Sequence, residues 1–172
     1  MKIFLRIIHF LILVICLIIQ VSFIEHLKRY NINIDLLMVA IAAVSIFDGP
    51  IFGLVYGFII GMLLDLMAGS IAGINALIYA LNGFFACKII EIGLRRKWAV
   101  YVLLIFLITE VNLLLTSGIY YLFNFSLSAR QLGIEMLISP VVNILFMFMI
   151  FPFFSAGREK KEEFGFIYKD KI

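Results

Sequence analysis

The chain has 172 residues, 65% of them hydrophobic and 15% charged, and its mean hydropathy of +1.15 lies far above that of a soluble domain. This excludes a water-soluble globular fold and identifies an integral membrane protein, whose length suits one compact helical bundle. The formal charge of +3 comes from basic residues at the borders of apolar runs, so it speaks for membrane orientation and against nucleic acid as a partner.

Six apolar segments follow in chain order, over residues 4–24, 34–47, 51–67, 74–92, 100–122 and 134–154. They predict an all-α, polytopic six-helix transmembrane domain over residues 1–157, with a short charged tail at 158–172. The first segment follows Lys2 and Arg6, but no alanine occurs before Ala40, so an A-x-A cleavage site is missing and the helix is expected to stay attached. Ile15 before Cys16 is too bulky for a lipoprotein signal. Cys16 and Cys87 both sit inside apolar runs and read as small buried hydrophobes. His9, alone near one end of the first helix, reads as a packed or interfacial residue.

The second and third segments are parted by Asp48-Gly49-Pro50, where proline disfavours helix before it and glycine supplies a turn, so a tight helical hairpin is expected. The third segment, 17 residues long, spans about 25 Å against a hydrocarbon core of about 30 Å, and the 14 residues of the second span still less. Asp35 can cap the start of the second helix and Asp48 can cap or close the turn at its end. Gly53, Gly57, Gly61, Asp65 and Gly69 recur in steps of four and form one stripe on the third helix. Close backbone approach through such a stripe is a main source of helix association in lipid. Its candidate partners are Ala40, Ala43 and Ser45 of segment two, or Ala76, Ala80, Gly83 and Ala86 of segment four. Asp65 is expected near water at the end of the stripe, capping the glycine-rich turn, and Asp65→Asn is expected to be tolerated.

Glu110 is the eleventh of 23 residues in segment five and so lies near the bilayer midplane. With Thr109, Asn112, Thr116 and Ser117 on its own helix, and Asn75, Asn82 and Asn143 on others, it implies a polar interior contact or small cavity. Two readings stay open for it: a hydrogen-bonded residue fixing helix register, and a group lining a ligand or ion site. In segment six Pro140 suggests a kink whose freed carbonyls Ser139, Asn143 or water could satisfy. No His or Cys cluster, nucleophile elbow or phosphate-binding loop is present, so no catalytic, metal or cofactor site is expected.

Basic residues orient the bundle. With a cytoplasmic N-terminus the inner side holds eleven of them and the outer side only Lys28, Arg29 and Arg130, which puts both termini inside.

The run from Asp35 through GPIFGLVYGFIIGMLLDLMAGSIAGINALIYALNGFFA, the basic loop after it and a last helix with proline and asparagine resemble the MreD family of bacterial rod shape-determining membrane proteins. The core pattern GxxxGxxxGxxxDxxxG followed by GxxALxYxLxG carries the resemblance, while Ile34 and Asn75 stand where the family often has proline and histidine. The resemblance implies a scaffold of the cell-elongation machinery that builds lateral peptidoglycan, in the inner membrane, with MreC as the nearest partner and MreB, RodA and a class B penicillin-binding protein in the larger complex. It implies no catalytic residue. The family is also similar in fold to substrate-binding subunits of energy-coupling-factor transporters, which implies the alternative of a small-ligand or lipid binder with a pocket around Glu110 and the outer loops. The first helix, however, has no alanine or glycine to dock on a transporter partner.

Overall fold

The computed structural model describes residues 2–24, 34–69, 72–91, 98–122 and 129–155; the basic loop at 92–97, the segment with Lys28 and Arg29, and the charged tail lie outside them. Six helices account for nearly all of the described chain: α1 (Lys2–Ile19, continued by a π-helical turn Gln20–Ile24), α2 (Leu36–Asp48), α3 (Pro50–Ala68), α4 (Ile74–Glu91), α5 (Trp98–Leu122) and α6 (Ala129–Ser155). They run up and down, so the ends of α1, α3 and α5 and the starts of α2, α4 and α6 share one end of the bundle.

The helices α1, α3, α5 and α6 are each long and apolar enough to cross a membrane. Their outward stripes are apolar, as with Phe4, Ile7, Leu11, Ile15 and Ile18 on α1, which suits contact with lipid chains. On α6 the exposed residues Leu137, Val141, Leu145 and Phe153 do the same.

The shortest helix occupies the centre. Every residue of α2 from Leu36 to Ile46 is buried, and the helix touches all five others. With 13 residues it rises only about 20 Å, which would be a mismatch for a helix facing lipid. Enclosed by longer helices, it has no bilayer thickness to match. Its alanines at 40, 42 and 43 and Ser45 keep it thin enough to be surrounded.

Local chemistry sets the turns. Gly49 closes α2 with φ of 111°, a backbone region that favours glycine, and its N–H returns to the Ser45 carbonyl at 2.9 Å. Pro50 then opens α3 at a position where a missing N–H costs nothing. At the other end of α3, Gly69 takes the left-handed conformation, φ 65°, and stops the helix.

The glycine stripe is consumed inside the chain, chiefly by α4. A Cβ on Gly61 would come within 2.6 Å of the Ala76 Cα, and one on Gly57 within 2.7 Å of the Tyr79 carbonyl carbon. Gly53 meets both Ser45 of α2 and Gly83 of α4, and the Ser45 hydroxyl donates to the Gly83 carbonyl at this three-helix crossing. The two partners that the pattern left open are thus both used, α4 along the length of the stripe and α2 at one end.

Trp98 stacks on Phe148 at 5.6 Å, pinning the start of α5 to α6. Helix α6 runs continuously through Pro140 and Pro152.

Candidate functional site

Buried polar groups concentrate where α2 begins. Asp35 is its N-cap, accepting from Met38 N at 3.0 Å through Oδ1, and this satisfies one of the amides that a helix start leaves unpaired. The same Oδ1 accepts the Tyr79 hydroxyl of α4 at 2.7 Å. Oδ2 accepts Asn112 Nδ2 of α5 at 2.9 Å, and the Thr116 hydroxyl one turn further on donates to Asn112 Oδ1 at 3.3 Å. Asn143 of α6 closes the ring: its Oδ1 accepts the Asp35 N–H at 3.1 Å and its Nδ2 donates to Thr109 Oγ1 at 3.2 Å. One carboxylate therefore holds side chains of α4 and α5, and its own amide holds α6.

Helix α1 reaches the same point through Gln20. Its Nε2 donates to the Ile34 carbonyl and its Oε1 accepts from Leu36 N, both at 3.0 Å, so one carboxamide clamps the two backbone groups flanking Asp35. Gln20 begins the π-helical turn that ends α1. With these bonds the start of the central helix is tied to α1, α4, α5 and α6.

The link to α3 is made by a second carboxylate. Asp65, 1% exposed, accepts from Gly73 N at 2.9 Å and Ala76 N at 3.3 Å through Oδ2, and from Asn75 Nδ2 at 2.7 Å and Asn75 N at 3.4 Å through Oδ1. Asp65 thus caps α4 from another helix, because α4 carries no capping side chain of its own. The expectation that it reaches water is corrected: the close α3–α4 packing allowed by the glycines buries it.

At the far end of the bundle His9 Nδ1 and Asp48 Oδ2 lie 2.5 Å apart, both side chains almost fully buried. The His9 ring also packs on Phe154 of α6 at 4.9 Å. Nearby, the Arg6 guanidinium sits 4.0 Å over the Phe52 ring and so joins α1 to α3. Asp48 therefore holds α1 as well as standing at the turn.

The polar interior expected around Glu110 is instead built on Asp35. Glu110, the middle residue of α5, is half-buried on the outward side of that helix, and its neighbour Thr109 faces the cluster. Asn75 belongs to Asp65, whereas Asn82 is buried with its Nδ2 unpartnered. Asn143 bonds Asp35 through Oδ1 and Thr109 through Nδ2, and the buried Ser139 hydroxyl has no partner. Pattern reading missed Gln20 and Tyr79 as members of the cluster. An isolated amide in the apolar first helix was the available signal for Gln20; a tyrosine in an apolar helix gives none.

Among the described residues no three His, Cys, Asp or Glu side chains are grouped to hold a metal ion. The arrangement is chemically one of fixing: Gln20 and Asp65 bond helix ends, His9, Thr109 and Asn143 bond side chains of neighbouring helices or turns, and Ser45 bonds a main-chain carbonyl of α4. A family model described as rod shape-determining protein MreD matches residues 1–156. No curated protein and no solved structure matches the chain.

Proposed function

The chain belongs to the family of the rod shape-determining protein MreD, and from that premise we propose that it is a non-enzymatic membrane scaffold of the bacterial cell-elongation complex. It organises or regulates lateral peptidoglycan synthesis and so maintains cell shape, through binding MreC. MreB, RodA and a class B penicillin-binding protein belong to the larger complex, and membrane lipids surround the bundle. The observation that carries this reading is the use made of the polar groups: Gln20, Asp35, Asp65, Tyr79, Asn112 and Asn143 all hold helices to one another. Such a core favours a rigid platform presenting fixed outer faces.

In this reading the protein is a multi-pass protein of the cytoplasmic membrane with both termini inside, on the ground that eleven basic residues then fall inside and three outside. Residues 1–157 form the transmembrane domain and residues 158–172 a charged cytoplasmic tail. The end at which α2 begins, with Asp35 and Asp65, then faces outward from the cell.

The test is affinity capture of the tagged protein from detergent-solubilised membranes of its native cells, with mass spectrometry of what co-purifies. Recovery of MreC together with the synthase is expected. Recovery of transporter ATPase subunits in their place would overturn the scaffold reading and return the argument to a ligand binder.

A further inference from the structure

Glu110 stands where a carboxyl is expensive. It is the middle residue of the 25-residue helix α5, which places it near the bilayer centre, where a charged side chain costs roughly 2.5–3.5 kcal/mol on insertion scales. The buried face of α5 is formed by Tyr101, Leu104, Ile105, Ile108, Thr109 and Leu113. Glu110 shares its own stripe with Phe106 and Leu107 one turn before it and Leu114 one turn after, all exposed. Among the described residues no hydrogen bond or ion pair reaches it, although Asp35 and Asp65 are each bonded several times over and the buried Asp48 side chain pairs with His9.

A second feature lies on the outward half of the same helix. Gly118, two turns beyond Glu110, faces open space: a Cβ there would meet nothing within 4 Å. Each of Gly53, Gly57, Gly61 and Gly83 is needed for a close approach inside the chain, whereas Gly118 is needed for none. A helix glycine costs about 1 kcal/mol relative to alanine, so a glycine without an internal contact leaves room for an external one.

We propose that the outward face of α5, centred on Glu110 and open at Gly118, binds one transmembrane helix of another protein that carries a hydrogen-bond donor side chain at mid-bilayer depth. The choice of occupant follows from polar complementarity. Lipid chains offer Glu110 no hydrogen-bonding group, whereas an arginine, lysine, amide or hydroxyl side chain on a neighbouring helix satisfies it, and the apolar residues beside it fit the rest of such a helix. The inference goes beyond the scaffold reading and takes from it only that the chain has a partner within the membrane.

The test places a photoreactive amino acid at Phe106, at Leu114 or, for comparison, at Leu11 on the exposed face of α1, in the full chain in native membranes. Adducts with a membrane protein are expected from Phe106 and Leu114 and not from Leu11, and the captured protein should have an apolar helix with a donor side chain near its middle. Glu110→Leu should weaken co-capture of that protein about 3- to 20-fold, the range of a hydrogen bond between helices in a membrane, while Glu110→Gln keeps most of it and both variants melt like the parent. Adducts only with lipid, adducts with a second copy of this chain, equal labelling from Leu11, or a lowered melting temperature for Glu110→Leu would each overturn the proposal. If MreC and the synthase are captured while α5 gives no protein adduct, the surface is wrong and the scaffold reading stands; if α5 labels a helix of an unrelated protein and no elongation component is captured, the surface stands and the scaffold reading falls.

Discussion

The hydroxyl of Tyr79 donates to Oδ1 of Asp35 at 2.7 Å, joining α4 to the cap of a central helix that every other helix touches. Tyr79 is almost fully buried, so its hydroxyl has no water to turn to if Asp35 is lost. Tyr79→Phe removes one bond and leaves Asp35 its other donors, at an expected cost of about 1–2 kcal/mol. Asp35→Leu removes the helix cap and strands Tyr79 and Asn112 together, and should cost at least about 3 kcal/mol. Thermal unfolding in detergent, followed by reaction of the buried Cys16 and Cys87 with a thiol dye, should rank the melting temperatures as parent, Tyr79→Phe, then Asp35→Leu.

The glycine stripe makes a sharper prediction than the usual bulky substitution. Gly61→Ala adds a single methyl that would lie 2.6 Å from the Ala76 Cα, and neither backbone can yield without parting α3 from α4. Gly118→Ala adds the same methyl in open space. Immunoblotting of membranes should show a strong loss of protein for Gly61→Ala and a normal level for Gly118→Ala.

Asp65→Asn should now be harmful. Both carboxylate oxygens accept from α4 or from the turn before it, and a carboxamide would turn an NH2 group toward either Gly73 N and Ala76 N or the Asn75 side chain, setting donor against donor. An expected loss of about 2 kcal/mol follows for buried donors left without their acceptor. Melting as above would decide it, and an unchanged temperature would mean that the cap contributes little.

His9 and Asp48 call for a double-mutant cycle. His9→Leu leaves a buried carboxylate without its imidazole partner and should cost about 3–5 kcal/mol, whereas His9→Leu combined with Asp48→Leu should recover most of that loss. Additive losses would show that the pair makes no coupled contribution.

Composition and hydropathy alone determined the membrane setting and the six apolar helices, and Gly49-Pro50 and Gly69 determined the two ends of α3, because those features depend on local backbone chemistry and on a solvent that forbids unpaired amides. The steps of four from Gly53 to Asp65 determined a packing stripe. Tertiary structure alone decided its partners, since α2 and α4 both offered small residues at compatible spacing. It also decided which acid organises the interior. Asp35 is placed inside by capping the central helix, whereas the direction of Glu110 depends on the rotation of α5 about its axis, fixed by Thr109 and Asn112 engaging Asn143 and Asp35. The mean hydropathy of α5 is high, and although Thr109, Asn112 and Thr116 share one face, only their contacts show that this face, and not the one with Glu110, turns inward.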